Sequence, residues 1–431
     1  MMVSSCSEDI AAKKQTGKIL ITAGGVAVVL AAIFIVNSLS SESDEPAVSE
    51  SSQLSQTAAA EEQQAVEAVA EEPPALWLQA YGGSTGNSAW APAVTAPFDT
   101  LWTLETGREI FSPPAVIGDY IYMAGNDKVL RALNRHTGEQ LWSRSVTCGL
   151  SGGVAADAEQ VYFSGQDGYL YALNRENGSE EWKAGLGYHI FTDAAVLSDT
   201  LVLAGNSMGN IAALNTGSGA VEWNDAIDGL VIGPAVSDSI AVFCTESGAA
   251  AAWNSSGNIQ WTRSFTSQPS APSIASGRVF IGFSTGKVLA LSLATGETIW
   301  ETALENVSGR AVVTRPSIPG DSLVVAGTCD GRVFCLEASD GSLVWESPIE
   351  NWVAVTPAVC DKVVYVSCDD SRIHLLNLSD GSPLDTLETG SYSGTPPLIL
   401  GGTLYTGTAE GDFNAIQSVV VAAEEADCPV E

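Results

Sequence analysis

From about residue 110 to residue 417 the chain repeats one arrangement of apolar and polar positions. A short run opening on proline, "PAV" or a relative, is followed by β-branched and aromatic runs such as "YIYMAG" (Tyr120–Gly125) or "KVVYVS" (Lys362–Ser367). A turn pair comes next, then a third run: "VLRALN", "YLYALN", "KVLALS" or "RVFCLE". A glycine turn leads into a fourth run ending in tryptophan. Short runs bounded by turn signals read as strands, and apolar residues at consecutive positions mark strands buried on both faces. The turn pairs are Asp127-Lys128, Asp167-Gly168, Met208-Gly209, Ser247-Gly248, Thr285-Gly286, Asp330-Gly331, Asp370-Ser371 and Glu410-Gly411. Such pairs predict tight hairpins, which need positive φ.

The marker tryptophans are Trp102, Trp142, Trp182, Trp223, Trp261, Trp300 and Trp345, spaced by 40, 40, 41, 38, 39 and 45 residues. Asp385 stands where the next would fall, 40 residues on. From Trp142 onward a glycine precedes each marker position by four: Gly138, Gly178, Gly219, Gly257, Gly296, Gly341 and Gly381. Pro114, Pro234, Pro272, Pro316, Pro357 and Pro396 open equivalent first strands. Four-stranded units of this length, buried on both faces, predict an all-β fold: an eight-bladed β-propeller of four-stranded antiparallel blades. A sandwich gives no reason for exact repetition, and an open solenoid would need capping units. The last unit, from Pro396 to about Gln417, has only three strands. A surplus strand, "TLWTLET", carries Trp102 without a preceding glycine turn. Residues near 99–106 are therefore expected to complete the last blade, closing the ring and removing its free edges. The seven tryptophans are assigned to docking between blades, since a large aromatic repeated once per unit is core packing.

The N-terminal part has a different character. Residues 19–36, "ILITAGGVAVVLAAIFIV", form an uncharged apolar run long enough to cross a bilayer as a helix. Lys13, Lys14 and Lys18 precede it, and Glu42, Asp44 and Glu45 follow. The positive-inside rule places residues 1–18 in the cytoplasm, 19–36 as a transmembrane signal-anchor, and the remainder outside, periplasmic or extracellular. A cleaved signal peptide is the competing reading. Residues 37–76 read as a disordered acidic linker, rich in Ser, Ala, Glu and Gln. The propeller is assigned to 77–417 and an acidic tail to 418–431.

Charge changes the choice of partners. Lys plus Arg is 18 and Asp plus Glu is 51, a net charge of −33. Such a surface repels nucleic acid and anionic lipid headgroups. The eight cysteines include no CxxC pair, so a zinc site has little support, and several sit in apolar strands as small hydrophobes. The histidines His136, His189 and His374 fall in different units, so the sequence predicts no metal site and no catalytic triad.

Propellers line their central channel with the segments before each first strand. Those segments contain Arg108, Glu109, His189, Asp193, Arg310, Arg315 and Trp352, including three of the eleven arginines. Two uses follow: a loop-fixing ion pair or solvated rim, or an anionic pocket or partner contact at one mouth. An extended partner strand could also add to an outer blade edge. N-glycosylation triplets start at Asn177, Asn254, Asn306 and Asn377.

The motif A-L-N-x-x-T-G-E-x-x-W, as in "ALNRHTGEQLW" (Ala132–Trp142), resembles the repeat of the pyrroloquinoline-quinone (PQQ) propeller superfamily. The likeness covers about residues 77–417, with Trp77–Gly107 similar to the lead-in of such proteins. Within the superfamily the chain looks most like the BamB-type scaffolds of outer-membrane protein assembly. Two features depart from that type: no lipobox is present, Cys6 lying before the apolar run, and a long acidic tether is added. The resemblance implies a non-enzymatic scaffold, with outer-membrane assembly machinery or β-barrel substrates as protein partners and a membrane contact through the N-terminal helix. The quinone dehydrogenases of this superfamily carry adjacent cysteines and large site-building insertions. This chain has no adjacent cysteines, and its units stay at 38–45 residues. No cofactor is therefore expected; a ligand-binding or sensor ectodomain and a PQQ-dependent oxidoreductase are the alternatives.

Overall fold

The computed structural model describes Leu76–Trp77 and residues 93–419, except 147, 148, 151, 238, 305–312, 350 and 354. The apolar run 19–36, nearly all of the tether, the C-terminal tail beyond residue 419, Arg310 and Asn306 lie outside the described residues, while Ser418, expected in the tail, ends the last strand. Every repeat folds as an antiparallel meander. Blade 1 is Ala115–Ile117, Tyr120–Gly125, Val129–Asn134 and Gln140–Ser145, and blades 2 to 5 and 7 repeat this plan. In all eight hairpins between second and third strands the second turn residue has positive φ, from 64° at Lys128 to 99° at Gly411.

The last blade closes the ring. Its chain-terminal strands Leu398–Leu400, Thr403–Gly407 and Asp412–Ser418 are completed by Phe98–Glu105, with Trp102 opposite Ala415. Among the described residues eight buried apolar clusters each bridge two neighbouring blades, and the series includes the pair 8 and 1. No blade is left with a bare face, which is why the strands carry apolar residues consecutively rather than alternately.

The repeated tryptophan is aimed by a feature absent from the sequence pattern. In each blade the ladder between third and fourth strands slips by one residue immediately before the marker position, as at Leu141 before Trp142 and Leu384 before Asp385. Such a bulge turns the following side chain out of its own sheet. The indole then lies against the next blade's turn glycine and donates to a carbonyl of that turn. Trp102 Nε1 donates to the Arg135 carbonyl at 3.0 Å, Trp261 to Leu293 at 2.7 Å and Trp300 to Ala338 at 2.9 Å. A Cβ built on Gly138, Gly178, Gly219, Gly257, Gly296, Gly341 or Gly381 would sit 2.5–2.6 Å from a ring atom of the preceding blade's tryptophan. Each glycine thus supplies both a positive φ and an empty space. The asparagine of "ALN" folds the same turn: Asn134 Oδ1 accepts from the His136 and Thr137 amides, and Asn174 and Asn215 repeat this.

The seam between blades 7 and 8 lacks that turn, because the last blade takes its outer strand from elsewhere in the chain. Here Asp385 replaces the tryptophan, and Val94 supplies the missing partner. The Tyr365 hydroxyl donates to the Val94 carbonyl at 2.9 Å and accepts from its amide at 2.7 Å. At the neighbouring seam Tyr405 donates to the Arg135 carbonyl, the one that Trp102 uses.

Two features differ from the sequence expectation. Blade 6 has three ladder strands, Leu323–Thr328, Arg332–Glu337 and Leu343–Pro348. Its inner strand shrinks to a bridge between Ser317 and Val325. Pro316 and Pro319 flank Ser317 and offer no N–H to a ladder, and Pro319–Asp321 turns as a 3₁₀ segment. Blade 1 gains a fifth strand: Leu76–Trp77 pairs with its inner edge, Leu76 opposite Ile117. Leu76 had been assigned to the tether.

Candidate functional site at the channel and its mouth

The meander puts all inter-blade loops and all hairpins between second and third strands on one face. The channel-lining candidates divide there into two groups. Asp193 and Arg315 form the inner group, the Arg315 charge acting on the Asp193 carboxyl. Arg315, 6% exposed, donates through Nε to Ser273 Oγ at 3.2 Å, and Ser273 Oγ donates to the Pro316 carbonyl at 2.6 Å. Asp193 accepts the Gly153 amide through Oδ1. Burial raises the Asp193 carboxyl above its ordinary range, opposed by the Gly153 amide and by the Arg315 charge. The Cys244 thiol is pushed up by burial and pulled back by the same arginine. Gly153, Asp193, Cys244, Ser273 and Arg315 come from five successive blades.

The remaining described candidates, the adjacent pair Arg108 and Glu109 with His189 and Trp352, belong to three different inter-blade loops. Arg108 is exposed, and its backbone packs against Gly411; Glu109 is partly buried, and its carbonyl accepts from Asn126. His189 is exposed, with Nδ1 against the Gln166 carbonyl. Trp352 is 50% exposed and held by its backbone, its N–H donating to Asp369 Oδ1 at 3.0 Å. Sequence reading passed over three companions on this face: Phe111, Tyr188 and Phe191, 43%, 54% and 43% exposed. Phe111 lies 6.3 Å from Tyr392 between ring centroids, and Phe191 lies 5.9 Å from His189. Their signal was present in the loops "REIFSPP" and "GYHIFTD", where an aromatic sits beside charged residues rather than in a strand. A groove of about 570 Å³ opens elsewhere, on the flank of blade 3, lined by Leu186, Asn210, Ala212, Asn224 and Asp225 among others.

One donor cluster has the types of a metal site. In the blade 7 hairpin, Cys368, Asp370 and His374 bring ligand atoms within 4.8 Å of one another. The sequence predicts no metal site, because these three donors are apart in the repeat pattern until the hairpin folds them together.

Fold and closure define an eight-bladed propeller of the PQQ-repeat class, its blades docked by tryptophans. The chain belongs to the family described as outer membrane protein assembly factor BamB, which matches residues 40–184, 187–327 and 307–418. The BamB of Yersinia pestis is 26% identical over 299 residues, covering 65% of this chain and 57% of the relative. That of Burkholderia pseudomallei (strain K96243) is 27% identical over 243 residues, covering 53% and 52%. The chain thus spans little more than half the length of these curated relatives. In fold it is similar to BamB from Moraxella catarrhalis, with a TM-score of 0.64 and 20% identity over 76% of this chain and all of that one. It is also similar to a europium-containing methanol dehydrogenase, with a TM-score of 0.66 and 12% identity over 82% of this chain and all of that one. At such identities the structural likeness concerns the fold alone.

Proposed function

We propose that the chain is a non-enzymatic scaffold, anchored in a membrane with its propeller outside the cytoplasm. It binds protein partners in outer-membrane protein assembly, the process named in its relatives' descriptions. The observation that carries this reading is the set of exposed aromatic side chains on one face of a family member: Phe111, Tyr188, Phe191 and Trp352. Aromatics on a rigid frame lose little entropy when covered, and they dominate binding energy where they meet a partner. Arg108 and Glu109 on the same rim add charge that steers and orients an encounter. The outer blade edges suit strand addition less well, because each is interrupted by the bulge before its marker residue. Anchoring rests on the apolar run 19–36 and the lysines before it.

The test is site-specific photo-crosslinking in the native membrane from Trp352 and Phe191, with Leu343 on the outer perimeter as control. Capture of a β-barrel protein or its assembly machinery from the first two positions, and not from Leu343, is expected. Capture restricted to Leu343 would remove the assignment of this face. A spectral change and dye reduction on adding PQQ with calcium would remove the non-enzymatic part.

A further inference from the structure

We propose that the hairpin between the second and third strands of blade 7 is a binding site for a divalent transition-metal ion of the zinc class. Its ligands are Cys368 Sγ, the Asp370 carboxylate and His374 Nε2.

In the equivalent hairpins of blades 1 and 2, an aspartate in the turn clamps the residue four positions on. Asp127 holds the Arg131 guanidinium and the Val129 amide. Asp167 accepts from the Tyr171 hydroxyl at 2.6 Å and from the Tyr169 amide. In blade 6, Asp330 uses Oδ1 to accept from the Thr328 hydroxyl at 2.5 Å and Oδ2 to accept from Arg332 at 3.0 Å. These clamps are complete in themselves.

Blade 7 keeps this clamp, with His374 four positions after Asp370, but differs from blade 6 at two positions. Cys368 stands where blade 6 has Thr328, and His374 stands where it has Phe334. Asp370 Oδ2 is engaged by His374 Nε2 at 2.9 Å and by Asn351 Nδ2 at 3.0 Å. Asp370 Oδ1 is buried and has no hydrogen-bond partner. A thiol is a poor substitute for the hydroxyl that fills this place in blade 6. An unsatisfied buried carboxylate oxygen is costly and calls for an ion or a water.

A metal ion would resolve this. The three donor atoms lie within 4.8 Å of one another, whereas ligands of one tetrahedral zinc are roughly 3.3–3.8 Å apart, from metal–ligand lengths of about 2.0–2.3 Å. No pair needs to close by more than ~1 Å, and His374 Nε2 exchanges its 2.9 Å hydrogen bond with Asp370 Oδ2 for the metal. Thiolate, imidazole and carboxylate together select a borderline ion over magnesium or calcium. Cys368 is fully buried, whereas the Asp370 and His374 side chains keep 15% and 19% of their accessibility, so an ion can reach the site from solvent. Asn351, from the loop before blade 7, orients the carboxylate from behind. Three protein ligands leave a fourth position for water. Binding expels the thiol proton to solvent.

The experiment titrates the chelator-treated, purified full chain with Co²⁺. One equivalent is expected to produce a thiolate-to-cobalt charge-transfer band with tetrahedral d–d absorption, both removed by Zn²⁺. Zn²⁺ is also expected to raise the apparent unfolding temperature. Cys368→Ser and His374→Gln should lose the charge-transfer band or weaken cobalt binding at least tenfold. Cys329→Ser, in the blade 6 hairpin, should keep both. Circular dichroism checks that each variant folds, and His374→Gln decides if Cys368→Ser does not. A wild-type chain without a thiolate band, or a band that survives Cys368→Ser, overturns the proposal.

Discussion

Gly296 and Gly277 lie in the same blade with nearly the same backbone, φ +67° and +71°, but in different surroundings. A Cβ on Gly277 meets nothing within 4 Å, while a Cβ on Gly296 falls 2.6 Å from Trp261 Cδ2. Gly277→Ala therefore incurs only the left-handed backbone cost of about 1–2 kcal/mol. The lost flexibility of the unfolded chain offsets this by roughly 0.4–1 kcal/mol. Gly296→Ala incurs the same and then forces the Trp261 ring to move, an overpacking cost of about 1–3 kcal/mol. Moving the ring also breaks the 2.7 Å hydrogen bond from Trp261 Nε1 to the Leu293 carbonyl, leaving buried groups unpaired. The difference between the two variants is expected to be about 2 kcal/mol or more, roughly 30-fold in the folded-to-unfolded ratio. Urea denaturation followed by circular dichroism and by tryptophan fluorescence measures it. Pairing Gly296→Ala with Trp261→Phe in a double-mutant cycle should show non-additive coupling. Equal costs for the two alanine variants would refute the docking role of the turn glycine and leave only its backbone role.

Tyr365→Phe should strip both hydrogen bonds from Val94, destabilise the seam by about 1–3 kcal/mol, and open the segment before Phe98 to limited proteolysis; an unchanged cleavage pattern would count against Val94 as the seam's cap. Asp193 has a carboxyl raised by burial, so it holds its proton more tightly folded than unfolded, and its contribution to stability falls as pH rises above about 4. Asp193→Asn removes that slope and should gain on the wild type in urea midpoints as pH rises above about 4, whereas parallel curves would contradict the assignment. Trp352→Ala and Phe191→Ala should reduce partner capture while changing stability by less than about 0.5 kcal/mol, as exposed positions do.

Blade number, hairpin positions and the closing strand were legible because each is written in neighbouring residues. A turn pair such as Asp167-Gly168 sets its own φ, and a three-stranded final unit beside a surplus "TLWTLET" leaves one arrangement that removes both edges. The rim was only half legible. Trp352 stood out as a tryptophan off the repeat, while Phe111, Tyr188 and Phe191 sat unremarked in the loops before the first strands until their exposure was known. Asp193 and Arg315 were singled out as charged residues in lining loops, but the effect of the Arg315 charge on the Asp193 carboxyl depends on how the blades that carry them are arranged in the ring.

By itself, the sequence determined a closed eightfold ring, its tryptophan markers and the strand that completes it, since periodic local signals specify repeated local structure. Tertiary structure decided that each turn glycine makes room for the preceding blade's indole, and that a one-residue bulge aims that indole. It also decided that Val94 stands in for a turn the last blade lacks, and that a cysteine, an aspartate and a histidine in one hairpin leave a carboxylate oxygen without a partner. These depend on distances through space, which exist only once the ring has closed and each blade has a neighbour on both sides.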